Sequence, residues 1–245
     1  VQLISSQIDV DRMDYLLRDA YFTGASYGKF DLTRILRVIR PIENGIAVQQ
    51  DGMHAVEDYV VSRYQMYMQV YFHPATRAME VLLQNLLKRA RTIYPDQKEY
   101  FQLTSPRLIP FFEEEVTIQD YLNLDDGVMN TYFQVWMDSP DTILSDLAQR
   151  YINRKVFKSI LFTEDKRKDL AILEKLIKEV GFNPTYYTAI HQNFDLPYDI
   201  YRPELEKPRT QIEMIRKDGS LAELSQLSPL VAALAGTRYE DNRFY

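Results

Sequence analysis

Two stretches carry chemically capable side chains at a four-residue spacing. In Asp9-Val10-Asp11-Arg12-Met13-Asp14-Tyr15-Leu16-Leu17-Arg18-Asp19, helical winding stacks Asp11, Tyr15 and Asp19 on one face, with Arg12 beside them. A carboxylate there can ligate a hard divalent cation, and such a cation can hold phosphate oxygens. A phenol and a second carboxylate can grip a sugar. The second stretch repeats the spacing with Tyr59, Arg63, Tyr67 and Tyr71. The planar fork of an arginine suits terminal phosphate oxygens, and a tyrosine ring packed under a sugar excludes a 2′-hydroxyl, which favours deoxyribose. Each stripe also has a plainer reading. The first serves equally as a solvated acidic face, and the second as a seam of tyrosines between helices.

Both stripes need helices to present them. Met13, Leu16, Leu17 and Ala20 give the first a core-facing side, which predicts a helix from Ile8 to Tyr21. Either Ser6 or Asp9 caps it, and Gly24 and Gly28 end it. A short helix is expected over Leu32 to Ile39, stopping before Pro41. The Asn44-Gly45 turn leads into a strand, Gly45 to Gln49, in a hairpin, and Asp51-Gly52 turns again. A long helix spans Met53 to Ile93, kinked or split near Phe72 by Pro74. Pro106 and Pro110 mark a loop. Short helices follow over Thr117–Leu124, Asp126–Met137 and Ser139–Tyr151. Arg154 to Phe162 is strand or loop, and Glu164 to Val180 is an amphipathic helix closed by Gly181. Strand is expected at Tyr186 to Ile190 and over the alternating Gln211 to Arg216. A turn at Lys217 to Ser220, strand or helix over Leu221 to Leu227, and a short helix from Val231 to Ala235 complete the chain. The fold class is mainly α (α+β), with small hairpin elements toward the C-terminus.

Composition narrows the options. At 245 residues the chain suits one large or two small domains. A net charge of -6 argues against nucleic acid or an anionic membrane surface as the main partner, though not against a local basic pocket. With no cysteine, any metal must be held by Asp, Glu or His, and a cytoplasmic setting fits. No apolar run approaches the roughly 20 residues of a spanning helix. Walker-type glycine loops, Gly-x-Ser-x-Gly elbows and His-Glu-x-x-His helices are absent from the sequence.

The run Ile8 to Asp19, followed by an aromatic and glycine stretch and then Phe30-Asp31-Leu32-Thr33-Arg34, closely resembles a segment of the HD-superfamily deoxynucleoside triphosphate (dNTP) triphosphohydrolases. The resemblance implies that Asp11 is the last ligand of a divalent metal centre, Mg, Mn or similar. It places Arg12 at the triphosphate and Tyr15 along the phosphate and sugar pocket, with Asp19 accepting from the deoxyribose 3′-hydroxyl. It extends to the second stripe, where Arg63 matches a γ-phosphate arginine and Tyr71 a sugar-stacking tyrosine. The sequence departs at Tyr67, a histidine in some relatives, and at Phe72, where relatives have a glutamine touching the nucleoside. His73, beside Pro74, reads as structural. Arg154-Lys155-Val156-Phe157-Lys158 and Arg34 resemble positions that bind an activating nucleotide between subunits. Scattered surface basic residues are the plainer alternative there.

The implied organisation is the C-terminal part of a catalytic helical core over 1–95, a helical extension over 96–182 and a regulatory or interface region over 183–245. The implied assembly is a cytoplasmic homotetramer that requires neither membrane nor nucleic acid. The family's upstream histidine and His-Asp pair have no counterpart, since none of His54, His73 and His191 precedes an aspartate. Those groups are expected before Val1 in the natural protein, so no catalytic residue is assigned within this chain. The implied reaction is dNTP plus water to deoxynucleoside plus triphosphate. The alternatives are another HD-type nucleotide phosphohydrolase, or a non-catalytic nucleotide-sensing oligomerisation module.

Overall fold

The computed structural model describes residues 2–195, 211–235 and 239–245. The chain divides into two compact units, one of Val1–His73 with Asn193–Glu240, the other of Pro74–Gln192 with Asp241–Tyr245.

In the first unit, helix α1 spans Val10–Thr23. Asp9 is its cap, its Oδ1 accepting from the Arg12 amide at 2.7 Å, which settles the choice between Ser6 and Asp9. Gly24 closes the helix at φ 73°, a left-handed conformation that costs glycine little. Met13, Leu16 and Ala20 form its buried face. Helix α2 covers Leu32–Val38 and is capped by Asp31. Strands β1 (Ile39–Ile42) and β2 (Gly45–Gln49) form the expected hairpin. Helix α3 runs from Met53 to Met66.

The long helix predicted through Ile93 is interrupted. A π-helical turn occupies Tyr67–Tyr71, in which the Phe72 amide reaches back five residues to the Tyr67 carbonyl at 2.8 Å. Pro74, which has no N–H to donate, starts the next helix instead of continuing the last. Gly28 lies against both site helices. A Cβ there would meet Ala20 of α1 and Met66 of α3, each at 2.6 Å.

The second unit begins with α4 (Pro74–Ile93) and continues through α5 (Lys98–Thr104), α6 (Ile109–Glu113), α7 (Ile118–Leu122), α8 (Asp126–Trp136) and α9 (Thr142–Ile152). The expected loop at Pro106 and Pro110 is a 3-10 turn followed by α6, because both prolines sit in first-turn positions where their missing N–H costs nothing. Asp141 caps α9. The core of this unit is aromatic, with Trp136 and Phe101 fully buried and their rings edge-to-face at 5.8 Å.

Beyond Arg154, regular structure resumes only at β3 (Ile160–Leu161). The helix expected over Glu164 to Val180 is a 3-10 turn followed by α10 (Leu170–Glu179). The strand expected at Tyr186 is helix α11 (Pro184–Tyr187), which Asn183 caps from its side chain, and strand β4 starts later and spans Ile190–Asp195.

The chain then supplies the first unit with β5 (Glu213–Ile215), β6 (Leu221–Glu223), α12 (Leu224–Leu227) and α13 (Pro229–Ala235). Strand β5 pairs in parallel with β2, aligning Val48 with Met214, which gives the sheet order β1-β2-β5-β6. The last strand, β7 (Tyr239–Phe244), lies between β3 and β4 in a three-stranded sheet. The fold is mainly helical with two small sheets. Among the described residues no helix is long and apolar enough to cross a membrane.

Candidate functional site

Helices α1 and α3 face one another in a fixed register. The Tyr59 hydroxyl donates to the Gln7 carbonyl at 2.7 Å. The Tyr15 and Tyr67 hydroxyls lie 3.4 Å apart, and the Tyr71 hydroxyl donates to Asp19 Oδ2 at 2.7 Å. Each pair is separated by 52 residues, so the two stripes advance together in the same direction. Asp11 and Arg63 occupy the corresponding step of that register. The close approach allowed by Gly28 is what lets the two stripes meet.

The two positive groups are held differently. Arg12 pairs with Asp9, which is 2% exposed and also receives the Ser6 amide at 3.1 Å. Arg12 Nη1 donates to the Ser6 carbonyl as well. One side of this guanidinium is therefore already occupied by protein. Burial acts to lower its pKa, but the charge and hydrogen bond of Asp9 outweigh that and raise it. Arg63 is 9% exposed, and its Nε is sealed from solvent without a hydrogen-bond partner among the described residues. Its guanidinium carbon lies 5.5 Å from the centre of the Tyr67 ring.

Tyr67 is the hub of an aromatic cluster. It meets Tyr71 at 5.0 Å and Phe72 at 5.7 Å, both edge-to-face, and Tyr15 meets Tyr71 at 6.1 Å. Burial, then hydrogen bonding to Tyr67, pushes the Tyr15 pKa far above the ordinary tyrosine value. Burial and the bond to Asp19 do the same for Tyr71. Both phenols therefore remain protonated throughout the physiological range.

Asp11 stands exposed in the first turn of α1, where the helix dipole favours a carboxylate. Among the described residues no group of three or more Asp, Glu or His side chains could hold a metal ion. The donor set fits a cation only in part, since Asp11 offers one carboxylate and a complete shell is not formed by these residues. His54 is exposed and bonded to Glu57 at 2.7 Å, and His191 lies 3.9 Å from Glu80.

The structure thus brings together Arg12, Tyr15, Asp19, Arg63 and Tyr71, while Asp11 is exposed on the same helix as Tyr15 and Asp19. Arg34, exposed in the first unit, donates to the Asp51 carbonyl at 3.0 Å. Arg154 and Lys158 are exposed in the second unit, and Arg154 has φ 53°. Asp9 and Tyr67 were not singled out as site residues from sequence. Asp9 was legible only as a cap, although its spacing of three from Arg12 was a signal. Tyr67 was legible as a member of the second stripe, without a role of its own.

The family described as the HD-associated region matches residues 30–244. The chain belongs to that family. The match begins after α1, so the Asp11 stripe lies upstream of this HD-associated region and the Arg63 stripe lies within it. The chain is 48% identical over 246 residues to protein YwfO of Bacillus subtilis (strain 168), covering all of this chain and 57% of that protein. It is 23% identical over 196 residues to the deoxynucleoside triphosphate triphosphohydrolase SAMHD1 homolog of Dictyostelium discoideum, covering 79% and 35%. The crystal structure of a phosphohydrolase from Bacteroides thetaiotaomicron matches with a TM-score of 0.79 at 26% identity, over 99% of this chain and 62% of that one. The chain spans about half the length of the curated relatives it matches.

Proposed function

We propose that this chain forms the nucleotide-binding side of a dNTP triphosphohydrolase, which converts dNTP and water to deoxynucleoside and inorganic triphosphate. One observation carries the reading. The Asp11–Tyr15–Asp19 and Arg63–Tyr67–Tyr71 stripes lie in register, and a sealed arginine Nε among them lacks an acceptor. The names of the Dictyostelium relative and the Bacteroides structure support hydrolysis of a phosphate ester or anhydride.

Arg63 would offer its terminal guanidinium nitrogens to phosphate oxygens, and the free side of Arg12 would take others. Asp19 receives one bond from Tyr71, leaving carboxylate lone pairs for a sugar hydroxyl. Tyr15 and Tyr71, both protonated, present ring faces and donors along the sugar. A divalent ion, Mg, Mn or similar, would polarise the phosphoryl group when bound. Asp11 would supply one of its ligands. Arg34, Arg154 and Lys158 are proposed to bind an activating nucleotide in a cytoplasmic homotetramer.

Incubating the intact protein with each dNTP and a divalent metal tests the reading through its products. Inorganic triphosphate is expected; orthophosphate in its place would indicate a different nucleotide phosphohydrolase. Asp11→Ala should remove metal binding and at least about 99% of turnover, in line with loss of a metal ligand, while leaving the thermal melt unchanged. Retained turnover would exclude Asp11 as a ligand.

A further inference from the structure

Among the described residues Arg63 has no hydrogen-bond or ion-pair partner, so some other contact must fix its direction. A long side chain with several rotatable bonds does not stay aimed at a ligand without support. The contact it does make is with the ring of Tyr67, one helical turn along, at 5.5 Å from guanidinium carbon to ring centre. That lies within the reach of about 6 Å at which a cation is attracted to an aromatic face, and the attraction grows when both groups are shielded from water. The ring is itself clamped between Tyr71 at 5.0 Å and Phe72 at 5.7 Å. The π-helical turn begins at Tyr67, so the ring stands where the helix widens. Such turns recur at functional sites.

We infer that Tyr67 is a positioning residue, whose ring holds the Arg63 guanidinium ready for an anionic ligand. The inference rests on the reading of Arg63 as a phosphate-binding group and adds what aims it. The ring and not the hydroxyl carries the role. At 3.4 Å the Tyr67–Tyr15 hydroxyl contact is long for an O–H···O bond, which ordinarily falls at about 2.5–3.0 Å. Its loss should therefore cost little, whereas loss of the ring face frees the arginine to sample other rotamers.

The test measures binding of inorganic triphosphate to the intact protein by calorimetry, with chelator present and no metal, so that turnover plays no part. Tyr67→Leu should weaken binding by about tenfold. Tyr67→Phe, which keeps the ring, should bind within about twofold of wild type. In the Arg63→Gln background Tyr67→Leu should cause no further loss, because it acts through Arg63. Tyr67→Met provides the same comparison should Tyr67→Leu fail to fold.

Wild-type affinity in Tyr67→Leu, with weakened binding in Arg63→Gln, would overturn the positioning role and leave the phosphate reading standing. Equal losses in Tyr67→Phe and Tyr67→Leu would overturn the assignment to the ring, and so would additive losses in the double variant. Undiminished binding by Arg63→Gln, or no binding by wild type, would overturn both inferences together.

Discussion

Arg63 in the first unit and Arg89 in the second begin from similar surroundings. Each projects from a helix, each is largely buried, and each lies over a tyrosine ring, at 5.5 Å for Tyr67 and 5.0 Å for Tyr186. They part at the carboxylate. Arg89 Nε and Nη2 donate to the two oxygens of Asp141 at 3.0 and 2.6 Å, a bidentate fork that joins α4 to the cap of α9. Arg63 has no such partner among the described residues and a sealed Nε. A buried guanidinium lacking a counter-charge is a cost to folding, whereas one already neutralised has little left for a ligand. The second unit uses its arginine to hold helices together, and the first keeps an equivalent group unsatisfied.

Substituting the two arginines alike breaks or supports that contrast most sharply. Arg89→Gln leaves Asp141 without its partner and should lower stability by about 2–4 kcal/mol, read from denaturant or thermal unfolding. Arg63→Gln removes an uncompensated cation, so its melting temperature should stay level or rise, while triphosphate affinity falls by about tenfold to a hundredfold. Equal destabilisation by the two substitutions would show that Arg63 is structural as well.

Acid should act on the satisfied arginine through its partner. Burial, the largest influence on Asp141, tends to raise its pKa, but the bond from Arg89 and the amide bonds at the helix cap bring it below the ordinary value. A depressed folded-state pKa means that the unfolded chain binds the proton first as pH falls. The contribution of Asp141 to stability is therefore complete above the ordinary value of about 3.9 and is lost as pH drops through the lower folded value. The melting-temperature gap between wild type and Asp141→Asn should be constant from pH 7 to about 5 and then shrink toward pH 3. A gap that persists unchanged at pH 3 would show that the charge of Asp141 is not what joins the helices.

The approach of the two stripes in the first unit depends on Gly28. Gly28→Ala places a methyl 2.6 Å from Ala20 and from Met66, and the Met66 sulfur can yield where the Ala20 Cβ on α1 cannot. The cost should be about 1–3 kcal/mol of stability, with triphosphate binding weakened as the register between Tyr15 and Tyr67 opens. Normal binding alongside lowered stability would separate site geometry from this contact.

The sequence pattern revealed the stripes but not their satisfaction. Four-residue periodicity put Asp11, Tyr15 and Asp19 on one helix and Arg63, Tyr67 and Tyr71 on another, and both lie there. The spacing of three made the restraint of Arg12 by Asp9 readable, whereas the absence of a carboxylate partner for Arg63 among the described residues depends on packing between segments 52 residues apart, which local spacing does not encode. Pro74 announced a break, yet the π turn before it, where the rings of Tyr67, Tyr71 and Phe72 meet edge-to-face, has no marker in the local spacing. Tyr186 and Tyr187 read as strand from their propensity, but Asn183 and Pro184 determine a helical turn locally and outweigh it. The prolines at 106 and 110 misled for a related reason, since proline breaks a helix from within and starts one well.

The smallest expected effect concerns Arg154, which like Arg63 is held at an energetic disadvantage, though in its backbone. At φ 53° it occupies the left-handed region that glycine adopts freely, immediately after Asn153 ends α9. Arg154→Gly should relieve this strain and add up to about 1 kcal/mol of stability, less the entropy a glycine loses on folding. If the arginine is kept at this position for a regulatory nucleotide, the same substitution should abolish activation of dNTP hydrolysis while basal turnover stays level. Stability and regulation would then move in opposite directions at one residue, as stability and ligand affinity are expected to do at Arg63. A variant that is more stable and still fully activated would show that the side chain of Arg154 has no part in regulation.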